Sequence, residues 1–497
     1  MGRKVPTVAA PDSITHNLQV KRIKGEDVAL IRQTREYELI TPLFGGGTET
    51  QKADPVSVIR VPSIRGQLRF WWRAIRGGQF SSIAEMKKIE DLIWGSTETP
   101  SAVIIELKTV EEAKSTNEKH KIPFTVEKYQ NRRGEDKYTV RNSPKIAPYA
   151  TFPLLPDKNQ RKQAGWTSAP VRIGLKFKIE IRHPETVPVK NGKEIDLNDE
   201  VSATLWAWET FGGIGARTRR GFGAIRLCSV DGKENTLLSF DALKQDVEKK
   251  FNKHFANERS FVGVPQLSRE SLPKVFDLTE QVNKEIKERV RQAQGEGHQL
   301  QPIKADYIEE SWKYLIKRLS EFRQQRNPGT QRNRPGRSKW PEPERIRELT
   351  GQRYNQPPNH HQPIEPKLEE FPRAAFGLPI VFQFQQASGR NPNDGNSDPR
   401  KTILQPTDHE RLSSPLILRP LACADDKAIG LALILESSKK LDDLGVTLTT
   451  QEGQQQGWSA TTELDDDKAK RIVKHDGSEL LNGEKDVLKA FLKFLDK

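Results

Sequence analysis

Val171-RIGLKFKIEIR-His183 alternates apolar and polar residues. Val171, Ile173, Leu175, Phe177, Ile179 and Ile181 share one face of an extended chain, so the stretch reads as a long strand with one side buried. Downstream, Asp199-EVSATLWAWET reads as a helix. A glycine- and arginine-rich segment, Phe211-GGIGARTRRGFG-Ala224, leads from it into a closing strand, Gly221-FGAIRLCSV. Upstream lies Lys119-HKIPFTVEKYQNRRGEDKYTVRNSPKIAPYATFPLL, long and polar, with Arg132, Arg133 and Gly134 at a turn-like centre. It reads as a projecting hairpin or loop inserted into the domain.

Further upstream, Ala102-VIIEL is a strand. Ser82 to Trp94 is a helix that stops at Gly95, a residue suited to the left-handed position after a helix. Pro62 and Ser63 open an earlier helix, with Ser63 as the expected N-cap. Tyr37-ELITPL is a strand broken by Gly45-GG. The order is β-α-β-β-α-β with one extra helix, an α+β plan of the ferredoxin-like kind.

Three regions follow. Residues 1–234 form the first ferredoxin-like domain, with the insertion at about 119–160. Residues 235–370 are helical and charged, including Ile303-KADYIEESWKYLIKRLSEFRQQ with an apolar stripe through Tyr307, Ile308, Trp312, Leu315 and Leu319. Residues 371–497 hold the strands Ala375-FGLPIVFQF, Ser414-PLILRPLA and Ile429-GLALILE. They end in an amphipathic helix with Val487, Leu488, Phe491 and Leu495 inward. This half is expected to be a second, degenerate ferredoxin-like domain, although no clean internal repeat is visible. Ala387-SGRNPNDGNSDPRK reads as a mobile loop.

The 497 residues carry 81 Lys and Arg against 67 Asp and Glu, a net charge of +14. Such a surplus attracts polyanions and says nothing about fold. No run of 18 apolar residues is present, so no membrane span is expected. The start lacks the apolar stretch of a signal peptide, and a cytoplasmic location fits. Cys228 and Cys423 form no metal-ligand spacing. Neither a metal nor a cofactor motif stands out.

The chemistry concentrates in two segments. In Ile59-RVPSIRGQLRFWWRAIRGG-Gln79, helical spacing puts Ile64, Leu68, Trp71 and Ile75 on one face. Arg65, Arg69, Arg73 and Arg76 fall within an arc of roughly 80° on another, with Trp72 at the border. No Asp or Glu occurs between Asp54 and Glu85, so local pairing is poor. Arg geometry favours bidentate contact with phosphate. In the second segment, Gly212, Gly213, Gly215, Gly221 and Gly223 let backbone approach a ligand, and Arg217, Arg219 and Arg220 add charge. It lacks G-K-[ST] and precedes a strand, so it is not a Walker loop. Arginine, glycine and aromatics together suit a phosphate backbone with stackable bases, RNA ahead of DNA. The bland alternatives are a solvated arginine face and a flexible connection. A third basic stretch, Arg326 to Arg353, includes Arg332, Arg334, Arg337 and Lys339; it reads equally as RNA contact or as solvated linker.

Catalytic candidates are thin. His16, His120, His183 and His360-His361 stand in no metal or triad spacing. Metal-independent RNA cleavage needs few residues, so an endoribonuclease stays open as an alternative. A scaffold whose arginines meet only acidic protein neighbours is a third reading. The acidic run from Glu463 through Asp465, Asp466 and Asp467 reads as a solvated loop.

Thr41-PLFGGG, Ile59-RVPSIRGQLRFWWRA and Ile93-WGSTE together resemble the N-terminal signature of the RAMP subunit that caps the head of Cmr, the type III-B CRISPR RNA-guided effector. Phe211-GGIGARTRRGFG resembles the Gly-rich loop of the wider RAMP superfamily. Pro335-GRSKWPEPERIR, Phe376-GLPIVF and Arg411-LSSPLILRP resemble that subunit's C-terminal half. The resemblance implies tandem ferredoxin-like domains and a non-catalytic subunit for antiviral defence. It implies a place near the guide RNA 3′ end, with guide RNA, target RNA and other RAMP subunits as partners. Arg60, Arg65, Arg69, Arg73, Arg76, Arg217, Arg219, Arg220, Arg337 and Lys339, with Trp72 and the loop glycines, would then face RNA. The resemblance does not reach the insertion or the charged middle.

Overall fold

The computed structural model describes residues 20–23, 26–45, 58–111, 121–143, 146–189, 193–295, 306–326, 338–351, 368–384, 398–399, 401–436, 445–450, 458–474 and 476–496. The chain divides into two compact units. The first comprises Met1–Phe261, Gln266–Lys313 and Leu418–Leu431; the second comprises Val262–Pro265, Tyr314–Ile417 and Ala432–Lys497. The charged middle is thus divided between them, and the first unit takes back a segment from late in the chain.

In the first unit the strands are β1 (Val20–Ile23), β2 (Glu26–Ala29), β3 (Ile31–Leu39), β4 (Ile104–Glu111), β5 (Phe124–Gln130), β6 (Asp136–Asn142), β7 (Lys176–His183), β8 (Thr186–Pro188), β9 (Glu194–Asp196), β10 (Ile225–Val230), β11 (Lys233–Glu234) and β12 (Lys274–Asp277). Its helices are α1 (Val61–Arg76), α2 (Ile83–Trp94), α3 (Leu197–Phe211), α4 (Phe240–His254) and α5 (Thr279–Gly295). A five-stranded sheet has the order β11-β10-β3-β7-β4. Its pairings β10–β3, β3–β7 and β7–β4 are all antiparallel. The strand that follows α3 therefore lies beside the first strand of the sheet rather than beside its chain neighbour β7.

β7 is central because its alternating face is buried: Phe177, Ile179 and Ile181 are all at most 2% exposed. Tyr37 of β3 stands opposite Phe177, and their rings stack at 5.1 Å. The strand expected from Val171 begins at Lys176. Residues before it pair elsewhere, Val171 N–H donating to Lys121 and Arg172 exchanging bonds with Leu43. β5 and β6 form the expected antiparallel hairpin, with Arg132, Arg133 and Gly134 at its turn.

α1 buries Ile64, Leu68, Trp71, Trp72 and Ile75 and packs on α3. It starts three residues before the expected site: Arg60 is its N-cap residue, and Ser63 lies inside the first turn. Pro62 suits that turn because its missing N–H has no helical partner there. α2 follows expectation, with Ser82 Oγ accepting from Glu85 N–H and Gly95 at φ +85° closing it. The Leu418–Leu431 return supplies part of a further three-stranded sheet of order β12-β16-β15, where β15 is Leu416–Leu421 and β16 is Ile429–Ile434.

The second unit contains most of α6 (Tyr307–Gln324), α7 (Glu342–Thr350), β13 (Ile380–Phe382), β14 (Thr402–Pro406), β17 (Val446–Thr450), β18 (Trp458–Ala460), α8 (Asp466–Lys470) and α9 (Val487–Leu495). Its four-stranded antiparallel sheet has the order β13-β14-β17-β18. Here the strands stand in chain order, unlike those of the first sheet. Phe322 gathers Trp340, Phe376, Phe491 and Phe494 around it at ring distances from 5.2 to 6.0 Å. Val487, Leu488, Phe491 and Leu495 of α9 are buried as expected. The loop expected at 387–401 falls largely outside the described residues. No helix among the described residues is long and apolar enough to cross a membrane.

Candidate nucleic-acid interface

Segments far apart in sequence meet at one locus of the first unit. Thr41–Gly45 lies along the Gly-rich loop: Ala216 N–H donates to Phe44 at 2.9 Å and Gly223 N–H to Pro42 at 2.8 Å. Thr41 Oγ1 donates to the Gly221 carbonyl at 2.6 Å and accepts from Ala224 N–H at 2.8 Å. On the α1 side, Gly212 abuts the indole of Trp71. The Arg219 guanidinium stands 5.4 Å from the centre of the Phe70 ring. Thr41–Gly45, α1 and the Gly-rich loop thus pack together.

The glycines have an internal explanation. A Cβ on Gly212 would collide with Trp71 and Trp208, one on Gly213 with the Gly223 carbonyl, and one on Gly215 with the Phe44 carbonyl. Gly223, at φ +58°, would clash with the Ile214 carbonyl. Several loop N–H groups are also spent inside the protein: Gly212 donates to Trp208, Ile214 to Gly223 and Gly221 to Thr218. The loop is a packed turn that spends these amides on the protein's own carbonyls. Arg217 sits in left-handed conformation at φ 59°, Arg219 is half-buried, and Arg220 is 9% exposed. Burial pulls the pKa of Arg219 down.

The arginine face of α1 meets carboxylates that its own segment lacks. Arg69 Nε pairs with Glu90 at 2.6 Å, its Nη2 with Asp91 at 3.1 Å, and its Nη1 donates to the Gly95 carbonyl at 2.8 Å. Arg73 pairs with the same Glu90, which is 3% exposed. Arg76 is 8% exposed and pairs with Asp199 at 2.6 Å and Glu200 at 2.7 Å. Burial lowers its pKa, but Glu200 and Asp199 outweigh that and raise it. Trp72 is fully buried and donates its indole N–H to Glu200. The poor local pairing expected from the segment is corrected by α2 and α3, which bring these acids to the face. Arg65 is half-buried, and its Nε, shielded from solvent, makes no hydrogen bond. Arg60 stands at the start of α1.

Other candidates scatter. Lys339 is half-buried in the second unit, where its N–H donates to Gln325; Arg337 lies outside the described residues. So do His16, His120, His360 and His361. His183 is 5% exposed with Nδ1 2.8 Å from the Pro184 carbonyl, and burial lowers its pKa. Asp465 caps α8, accepting from Lys468 N–H at 2.8 Å. Cys228 and Cys423 are free thiols. Sequence reasoning missed Phe70 and Arg419. The first carried no signal beyond its aromatic neighbours; the second is a lone arginine in an apolar strand, a pattern that marks a buried, bonded charge.

Residues 36–226 match the RAMP superfamily. The chain is 28% identical over 198 residues to CRISPR system Cmr subunit Cmr1-2 of Pyrococcus furiosus, covering 39% of this chain and 92% of that protein. It is 25% identical over 170 residues to subunit Cmr1-1 of the same organism, covering 34% of this chain and 40% of that protein. Among solved structures it is similar to apo Cmr1 from Pyrococcus furiosus, with TM-score 0.40 and 17% identity over 83% of this chain and 93% of that one. A chain in the cryo-EM structure of the type III-B Cmr-beta bound to cognate target RNA aligns with TM-score 0.37 and 12% identity, covering 82% and 94%. Residues 36–226 thus match the RAMP superfamily, and the chain is similar to the Cmr1 subunits of CRISPR Cmr systems.

Proposed function

We propose that the chain is a non-catalytic, RNA-binding subunit of a cytoplasmic type III-B CRISPR effector. It contacts guide RNA near the 3′ end and the guide–target duplex, and it caps the backbone of other RAMP subunits. The observation that carries this reading is the meeting of Thr41–Gly45, α1 and the Gly-rich loop at one cationic locus in a chain similar to a Cmr subunit. Arg217, Arg219 and Arg220, with Arg60 and Arg65, contact the RNA backbone there. Arg69, Arg73, Arg76 and Trp72 hold α1 in place for them. Arg337 and Lys339 form a separate basic group. Shape and phosphate contacts suit a protein that accepts any guide, because base pairing reads the sequence.

The sheet order β10-β3-β7-β4, with α1 and α3 as its crossovers, supports a ferredoxin-like N-terminal domain over residues 1–234. The second ferredoxin-like domain over 371–497, beyond the 235–370 connection, rests on the resemblance of its motifs.

Affinity purification of the tagged full chain from cells carrying its CRISPR locus tests the function. Guide RNA is expected to co-purify with the chain and the other Cmr subunits; its absence contradicts the reading. Labelled repeat RNA incubated with the chain in EDTA is expected to stay intact. Cleavage that disappears in His16→Ala or His120→Ala favours the endoribonuclease instead.

A further inference from the structure

α1 carries a glycine that the protein's own packing does not explain. Gly66 lies inside regular helix and is exposed. Among the described residues, its chain neighbours and the helix's own backbone aside, no heavy atom stands within 4 Å of where its Cβ would be. Glycine is the poorest interior helix residue after proline, because fixing its backbone costs the most entropy. Nearby glycines differ. A Cβ on Gly77 would press on Met86, one on Gly78 on the Arg259 carbonyl, and one on Gly212 on Trp71. At Gly66 an alanine fits among the described residues and favours the helix, so their packing does not require a glycine here.

The surroundings favour a polyanion. Ser63 and Phe70 flank Gly66 on the same helix face at one-turn spacing, and Arg219 stands over the Phe70 ring. Arg65 is the adjoining residue, with a desolvated Nε that makes no hydrogen bond. The face offers Ser63, Gln67 and an aromatic ring, and α1 itself carries no carboxylate. An RNA strand matches such a border: phosphates for the guanidiniums, a base or sugar for the ring.

We propose that the Gly66 face of α1, bordered by Phe70 and Arg219, is a surface where an RNA ribose–phosphate strand approaches the helix backbone more closely than any side chain at position 66 permits. This rests on the RNA-binding reading and adds a place and a steric rule to it.

The test uses the full chain and its Gly66→Ala and Gly66→Gln variants. Anisotropy of a fluorescein-labelled single-stranded RNA at fixed salt reads affinity, and thermal melting runs in parallel. Both variants are expected to melt at or above the parent temperature, since both residues are better helix formers. Gly66→Gln is expected to weaken RNA binding by about tenfold or more, and Gly66→Ala by less. A parent chain that binds while Gly66→Gln binds equally overturns the inference and leaves the RNA reading standing. A parent chain that does not bind overturns both. RNA affinity retained in Gly66→Gln, with loss of co-purifying Cmr subunits, overturns the inference and assigns the face to a protein partner.

Discussion

Arg419 donates from Nη1 to the carbonyl of Gly212 at 2.7 Å, and from Nη2 to the carbonyl of Ile225 at 2.8 Å. One guanidinium therefore ties the entry and the exit of the Gly-rich loop. A third bond reaches the Glu209 carbonyl at 3.0 Å. The side chain is 1% exposed, and burial pulls its pKa down to about 9, with Glu209 acting the other way. Arg419→Met removes three charge-assisted bonds and leaves buried carbonyls without donors. Denaturant unfolding should show a drop in stability of about 3 kcal/mol or more. Backbone amides across Gly212–Ile225 should exchange faster with deuterium than those of β7.

Glu90 serves two arginines of α1. Replacing it with Gln weakens both pairs in a largely desolvated place, so Glu90→Gln should cost about 1–3 kcal/mol in chemical denaturation. Arg69→Gln should cost a similar amount. Because Arg69 is committed to Glu90, Asp91 and Gly95, its substitution should leave the salt dependence of RNA binding unchanged. An unchanged stability with a lower salt slope would return Arg69 to the RNA-contacting set.

Gly223 admits no side chain. Its φ of +58° is unfavourable for other residues, and the Ile214 carbonyl occupies the space of a Cβ. Gly223→Ala should displace the loop and destabilise the first unit by about 3 kcal/mol or more, measured by thermal or denaturant unfolding.

His254 links stability to pH. It is 5% exposed, its ring packs on Trp206 at 5.5 Å, and its Nδ1 has no hydrogen-bond partner. Burial, then the charge of Lys253, lowers its pKa from 6.5 to about 4. Between those values the unfolded chain binds a proton that the folded chain resists. This contribution to stability is therefore complete above pH 6.5 and is lost as the pH falls towards 4. It amounts to at most about 3 kcal/mol. Melting temperature followed from pH 7 to pH 4 should fall less steeply in His254→Phe than in the parent.

What the sequence disclosed was local. The alternation of β7, the helix from Ser82 to Trp94, the Gly95 stop and the hairpin turn at Arg132–Gly134 each depend on neighbours within a few residues, and each is found in the structure. What it concealed was non-local. Glu90, Asp199 and Glu200 reach the arginines of α1 only once α2 and α3 are packed, so a segment without acids still has its charges paired. The loop glycines signalled close approach correctly, yet the partners are Trp71, Gly223 and Phe44 of the same chain. Periodicity overran the start of β7, because Val171 and Arg172 alternate in type while pairing with Lys121 and Leu43.

The proposed function requires the Gly-rich loop and α1 to form one RNA-binding surface. Its most direct test is the affinity of the full chain for single-stranded RNA across a salt series, compared with an Arg217→Gln, Arg219→Gln double variant. The parent should bind with a strong negative salt dependence. The double variant should bind more weakly, with a slope shallower by about 0.7 for each phosphate it no longer neutralises. A double variant that matches the parent in both affinity and slope contradicts the proposed RNA-binding surface.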